Sequence, residues 1–168
     1  MKVIETNRLL LRPFTLEDAA ALNRVNRNPD VMRYIGKVEE DAAATAAYLQ
    51  KGPLADYQKH GFGRHACIHK ASGELIGFCG LKYLPELDEV DVGYRLLPEY
   101  WGQGLAAEGG EAVMAFGKQE LGLKRIIGIA MPDNAGSIHL LKKLGLVYEG
   151  RIDYLGVDCV KYAWQSAP

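Results

Sequence analysis

The stretch "PEYWGQGLAAEGGE", Pro98 to Glu111, crowds Gly102, Gly104, Gly109 and Gly110 into what reads as the opening of a helix. Glycine inside a helix costs roughly 1 kcal/mol against alanine, so the crowding needs a reason. The first backbone N–H groups of a helix lack intrahelical partners and together carry about half a positive charge. An anion satisfies them, and small residues let a phosphate reach the backbone. Gly102-Gln103-Gly104-Leu105-Ala106 therefore has the composition of a diphosphate cradle. A tightly packed strand-to-helix turn would use the same residue types. The segment is neither GxGxxG nor GxxxxGK[ST], which separates it from the dinucleotide and P-loop classes.

Other groups able to do chemistry are scattered. Glu89 and Asp91 lie on the run leading into the cradle, and Glu149 lies near the end of the chain. Each could accept a proton, and a solvated acidic strand edge would carry them equally well. His60, His65, His69 and His139 show no ligand spacing, so no metal is expected. Cys67, Cys79 and Cys159 are odd in number, far apart and without a CxxC pair, which fits small core residues in a reducing compartment.

The elements that must position these residues follow from periodicity. "RLLLRPF" (Arg8 to Phe14) reads as a strand ended by Pro13. Thr15 with Asp18 makes an approximate capping box opening a helix that Asn28-Pro29 stops. "EEDAAATAAYLQK" is a second helical run, expected to break at Gly52-Pro53. "GFGRHACIHK" and "ELIGFCGLKY" form a hairpin through "ASG". In "EVDVGYRLL", Val90, Val92, Tyr94 and Leu96 alternate with Glu89, Asp91 and Arg95, as in a strand with one buried face. The cradle and its helix run to about Leu121, "KRIIGIAM" is a strand, and "NAGSIHLLKKLGL" is a helix closed by Gly145. The tail reads as two strands around a turn. The order β-α-α-β-β-β-α-β-α-β-β gives a mixed α/β (α+β) fold of about seven strands and about four helices, whose central strand–helix–strand passage needs a parallel crossover.

The 168 residues carry 48% hydrophobic and 24% charged residues and fit a single domain over 1–168 with its own core. A net charge of −1 gives no basic field for nucleic acid or an anionic membrane. No segment approaches the roughly 18 apolar residues of a membrane span, and the start lacks signal-peptide character, so a cytoplasmic protein is expected.

"GYRLLPEYWGQGLAAEGG" resembles the acyl-CoA-binding motif of the GNAT superfamily of N-acetyltransferases. "ETNRLLLRPFTLEDAAAL" and "NAGSIHLLKKLGLVYEG" are similar to its ribosomal-protein N-terminal acetyltransferase (RimJ/RimL-like) subgroup. The resemblance implies a mostly antiparallel sheet with a central parallel pair splayed around acetyl-CoA. It assigns Gly102, Gln103, Gly104, Leu105, Ala106 and Ala107 to the CoA diphosphate, with Trp101 where the wider family has Gln or Arg. Tyr94, Arg95 and Leu96 fall where strand backbone pairs with the pantetheine arm, and Asn134 where a side chain contacts that arm. Many relatives place a tyrosine acid seven residues beyond Asn134, but Leu141 stands there. Ser137 is then the substitute acid, and Asp91 takes the acidic position of the subgroup's strand. Both Asn134 and Ser137 also suit helix capping.

An amine attacking a thioester must be neutral, at a pKa of about 8 for a chain terminus or about 10.4 for lysine. The oxyanion must be held and the thiolate protonated. The implied activity is direct acetyl transfer from acetyl-CoA to a primary amine, either a protein N-terminus or a small amine such as a polyamine or antibiotic. A non-catalytic CoA-binding module is the rival, and the protein is expected as a monomer or homodimer.

Overall fold

A computed structural model describes residues 1–35 and 38–168. Its centre is one mixed sheet in the order β1-β2-β3-β4-β5-β6-β8-β7. The strands are β1 (Ile4–Glu5), β2 (Leu9–Pro13), β3 (Arg64–His69), β4 (Leu75–Leu84), β5 (Glu89–Leu96), β6 (Arg125–Ala130), β7 (Val147–Tyr154) and β8 (Val157–Gln165). The β5–β6 pair is parallel, and every other pairing is antiparallel. The expected strands are all present. The eighth is the two-residue β1, too short to show an alternating pattern.

Helices cover both faces: α1 (Ala19–Asn26), the single turn α2 (Pro29–Met32), α3 (Ala42–Leu49), α4 (Ala55–His60), α5 (Leu105–Gln119) and α6 (Ala135–Lys143). Leu9, Leu11, Cys67, Ile76, Cys79, Leu81 and Val92 pack with Val113, Met114 and Phe116 of α5 and Leu140 of α6. On the other face Ala66, Phe78 and Leu97 meet Leu22 and Val25 of α1 and Leu49 of α3. The mid-sheet strands β3 and β4 are thus apolar toward both sides. Asn28 caps α2, accepting from Asp30 N–H at 2.9 Å, so Pro29 both ends one helix and starts the next.

Two expectations need correction. Gly52-Pro53 does not break the second helical run: Gln50–Leu54 widens into a π turn that joins α3 to α4. A π turn spaces its hydrogen bonds one residue further apart, which accommodates the missing proline N–H. The second face of β5 is also not a solvated acidic edge: Asp91 is 5% exposed and covered by Arg64, and Arg95 is held by Asn26 of α1 and stacks on Phe78. Gly109 and Gly110 serve packing: a Cβ at Gly109 would lie 3.3 Å from Cys79 Sγ, and one at Gly110 would lie 3.0 Å from Leu144 Cδ1.

Candidate active site

The site begins where two strands part. In the β4–β5 ladder Leu97 N–H donates to Ile76 O at 2.9 Å, and the register pairs Leu96 with Gly77 and Tyr94 with Cys79. Antiparallel alternation then turns the backbone of Asp91, Gly93 and Arg95 toward β4, and that of Val92, Tyr94 and Leu96 toward β6. The β5–β6 bridge joins Asp91 with Ile127. Among the described residues no further β5–β6 pair follows. The strands diverge from that point into a fork. Tyr94 and Leu96 present backbone to it, whereas Arg95, expected to do the same, has its backbone in the β4 ladder. The Leu96 carbonyl is taken by Trp101 Nε1 at 2.8 Å, which ties the half-exposed indole to the fork.

At the open end lies the glycine turn expected to cradle a diphosphate. Gly102 and Gly104 have φ of 73° and 78°, a left-handed conformation that glycine adopts without strain. Gly104 is the N-cap of α5 and brings no capping side chain, so the amides of Leu105, Ala106 and Ala107 keep free donors. A Cβ at Gly102 would meet nothing within 4 Å, so backbone conformation rather than crowding selects glycine there. Arg8, at the β2 edge, donates to Gln103 O at 2.8 Å and to Glu108 Oε1 at 2.8 Å. Beside it a shallow depression of about 360 Å³ is lined by Asn7, Arg8, His69, Lys70 and Ala71. Amides plus a guanidinium at a helix start form a donor set that fits a diphosphate.

Across the fork stands the start of α6. Asn134 is its N-cap, with Oδ1 accepting from Ser137 N–H at 3.2 Å and Nδ2 donating to Ser137 Oγ at 3.1 Å. The Tyr94 hydroxyl lies 3.3 Å from the same Oγ. Leu141 is 5% exposed and fills the space over Gly128, so it belongs to the core.

The chain matches the acetyltransferase (GNAT) domain family over residues 8–147. It belongs to the GNAT family. It is 34% identical over 149 residues to the uncharacterized N-acetyltransferase YoaA of Bacillus subtilis, covering 88% of this chain and 84% of that one. It is 28% identical over 149 residues to spermidine N(1)-acetyltransferase of Escherichia coli, covering 84% and 74%. In fold it matches RimL, a ribosomal L7/L12 α-N-protein acetyltransferase in complex with coenzyme A, with a TM-score of 0.82, 19% identity and 98% coverage of both chains. The GNAT family uses acetyl-CoA, and this protein is an N-acetyltransferase.

The electrostatics of the acetyltransferase's remaining face are set by ion pairs. Arg64 holds Asp91 at 2.6 Å and also donates to Gly80 O at 2.6 Å and Asp91 O at 3.1 Å. Burial pushes the Asp91 carboxyl above its ordinary range, against the pull of Arg64. Glu89 and Glu149 share Arg125 and Lys161, and their hydrogen bonds to Arg125 hold both below the usual range. Arg95 donates to Asn26 at 2.7 Å and stacks 4.7 Å from the Phe78 ring centroid. Cys79 is buried and its thiol is pushed up to about 12, as for an inert core cysteine.

Sequence reasoning missed Arg8, Glu108 and Arg64. Arg8 reaches α5 across 100 positions and Arg64 reaches Asp91 across 27, so neither pairing leaves a local spacing signal. Among the described residues no group of three or more His, Cys, Asp or Glu could hold a metal ion. No described helix is long and apolar enough to cross a membrane.

Proposed function

We propose that the enzyme transfers acetyl directly from acetyl-CoA to a primary amine in a ternary complex, with a protein N-terminal α-amine as the acceptor. The observation that carries this reading is the fork: β5 and β6 part beyond Asp91 and open onto the uncapped amides of α5. Acetyl-CoA, when bound, supplies the activated thioester. The amides from Gly102 to Ala107, with Arg8 beside them, hold its diphosphate. The backbone of Tyr94 and Leu96 lines the pantetheine arm, and a β5 amide is positioned to hold the oxyanion, an effect of roughly 3 kcal/mol per donor. Asn134 fixes Ser137, which protonates the leaving thiolate.

An α-amine with a pKa of about 8 is partly neutral at pH 7 and needs little help from a base. Asp91 sits at the fork with a raised proton affinity, which suits a proton acceptor. Its ion pair with Arg64, at the point where β5 and β6 part, makes the stronger case for a structural role. Glu89 and Glu149, locked to Arg125, do not suit a base.

A second reading makes a small polycation the acceptor. It is favoured by a depression of about 450 Å³ lined by Val38, Glu39, Glu40, Asp41 and Ala44. Similarity to a spermidine acetyltransferase points the same way. Thiol release from acetyl-CoA, measured with N-terminal peptides and with spermidine and confirmed by product mass, tests both. Peptide acetylation is expected. Faster turnover of spermidine would favour the second reading, and no turnover with any amine would sink both.

A further inference from the structure

The hydroxyl of Ser137 has one proton and two acceptor positions. Because Asn134 Oδ1 accepts from Ser137 N–H, its Nδ2 faces Ser137 Oγ and can only donate, filling one acceptor position. The Tyr94 hydroxyl, arriving from β5, stands at hydrogen-bond distance from the same oxygen. When Tyr94 donates, both acceptor positions are filled, and among the described residues Ser137 has no further hydrogen-bond partner for its own proton. That proton is then left for a group in the fork.

No phenol comes from α6 itself, where Leu141 is buried in the core. The hydroxyls of Tyr57, Tyr83 and Tyr100 are committed to Arg64 O, Asp88 and Glu74. Tyr94 is the phenol that reaches Ser137.

We propose that Tyr94 is a positioning and relay residue, whose phenol aims the Ser137 hydroxyl at the leaving sulfur and restores its proton. The inference rests on the acetyl-transfer reading above. The amine lone pair forms the C–N bond, and the carbonyl pair moves to oxygen. That pair then re-forms the C=O bond as the C–S bond breaks with its electrons on sulfur. Sulfur takes the Ser137 proton while Ser137 Oγ takes the Tyr94 proton. The phenolate regains a proton from water, and the nitrogen releases one to water, so the products are the acetylated amine and free CoA thiol. A phenol is a much stronger acid than an aliphatic alcohol, so the relay puts the better acid behind the better-placed one.

Two measurements test this. In steady-state thiol release, Tyr94→Phe keeps the ring and should lower kcat roughly tenfold to hundredfold, with KM for acetyl-CoA changed by about twofold or less. Ser137→Ala should fall similarly, and the double variant should fall no further than the weaker single one. Unchanged kcat in Tyr94→Phe, or losses that multiply in the double variant, would overturn the relay. The second measurement needs no amine: the thiol of bound CoA is titrated by the ultraviolet absorbance of its thiolate. Donation to sulfur favours the thiolate, so bound CoA should titrate below the free value of about 8.5 and move back up in both single variants. Equal titration in wild type and Tyr94→Phe would overturn the proposal. Absence of turnover in the wild type would instead reject the acetyl-transfer reading, and the titration would still decide the placement of Tyr94.

Discussion

Arg64 lies with Nη2 2.6 Å from Asp91 Oδ2, and both side chains are nearly excluded from water, at 11% and 7% exposure. The pair sits where the strands part, since Asp91 is the β5 residue bridged to Ile127 and no further β5–β6 pair follows among the described residues. Asp91→Asn would leave a buried guanidinium without a counter-charge, a change costing about 3–5 kcal/mol in comparable pairs. For a chain of this size the thermal midpoint should fall by about 6–20 °C. Arg64→Met in the Asp91→Asn background should restore part of the loss. Calorimetry showing a midpoint within about 1 °C of wild type for Asp91→Asn would dismiss the clasp.

Gly93 tests the same clasp from beneath. A Cβ there would lie 2.7 Å from Arg64 Nη2 and 2.9 Å from Cζ. The guanidinium cannot swing aside without leaving Gly80 O and both Asp91 acceptors. Gly93→Ala should therefore destabilise by about 1–3 kcal/mol in urea unfolding, as overpacking does. In an Arg64→Ala background the same change should be nearly neutral. Equal costs in the two backgrounds would separate Gly93 from the ion pair.

The glycine turn before α5 was legible because its signal is local: glycines at a strand-to-helix junction are read from adjacent residues. The strand and helix order was legible for the same reason. The environment of β5 was not. Alternation marks Val90, Val92, Tyr94 and Leu96 as one face, but whether Asp91 and Arg95 meet water depends on Arg64 of β3 and on Asn26 and Tyr48 of α1 and α3, which are placed by tertiary packing. Likewise Leu141 could be seen to lack a phenol, whereas the meeting of Tyr94 with Ser137 depends on the β5 register and on where α6 begins. Pro53 misled because a proline inside a helical run usually ends it, and the π turn that absorbs it has no short-range signature.

Gly104→Glu addresses the cradle directly. The new side chain would require φ near 78°, a strain of roughly 1–3 kcal/mol, and would set a carboxylate over the free amides of α5. CoA affinity by titration calorimetry should fall about a hundredfold or more, since the anion site is occupied from within. Gly104→Ala meets the strain alone and should lose stability while keeping most of its CoA affinity. Wild-type affinity in Gly104→Glu would remove the diphosphate from this turn.

The pH dependence of stability follows from the buried histidine and the paired carboxylates. His65 is 1% exposed, donates Nε2–H to Lys2 O at 3.1 Å and packs edge-on to Phe116, and burial holds its pKa below the ordinary value. Below about pH 6.5 the unfolded chain therefore binds a proton that the folded one refuses, and stability declines as pH falls. Asp18, Glu89, Glu108 and Glu149 are held low in the fold, so their contribution is fully present above about pH 4.3 and is lost as pH falls through their folded values. Asp91, pushed up by burial, works in the opposite sense, but as one group against several. Thermal midpoints should therefore decline gently from pH 7 to 5 and steeply below about 4. Arg125→Met should flatten the lower part by removing the main partner of Glu89 and Glu149. A midpoint that rises between pH 7 and 5 would contradict the neutral, buried assignment of His65.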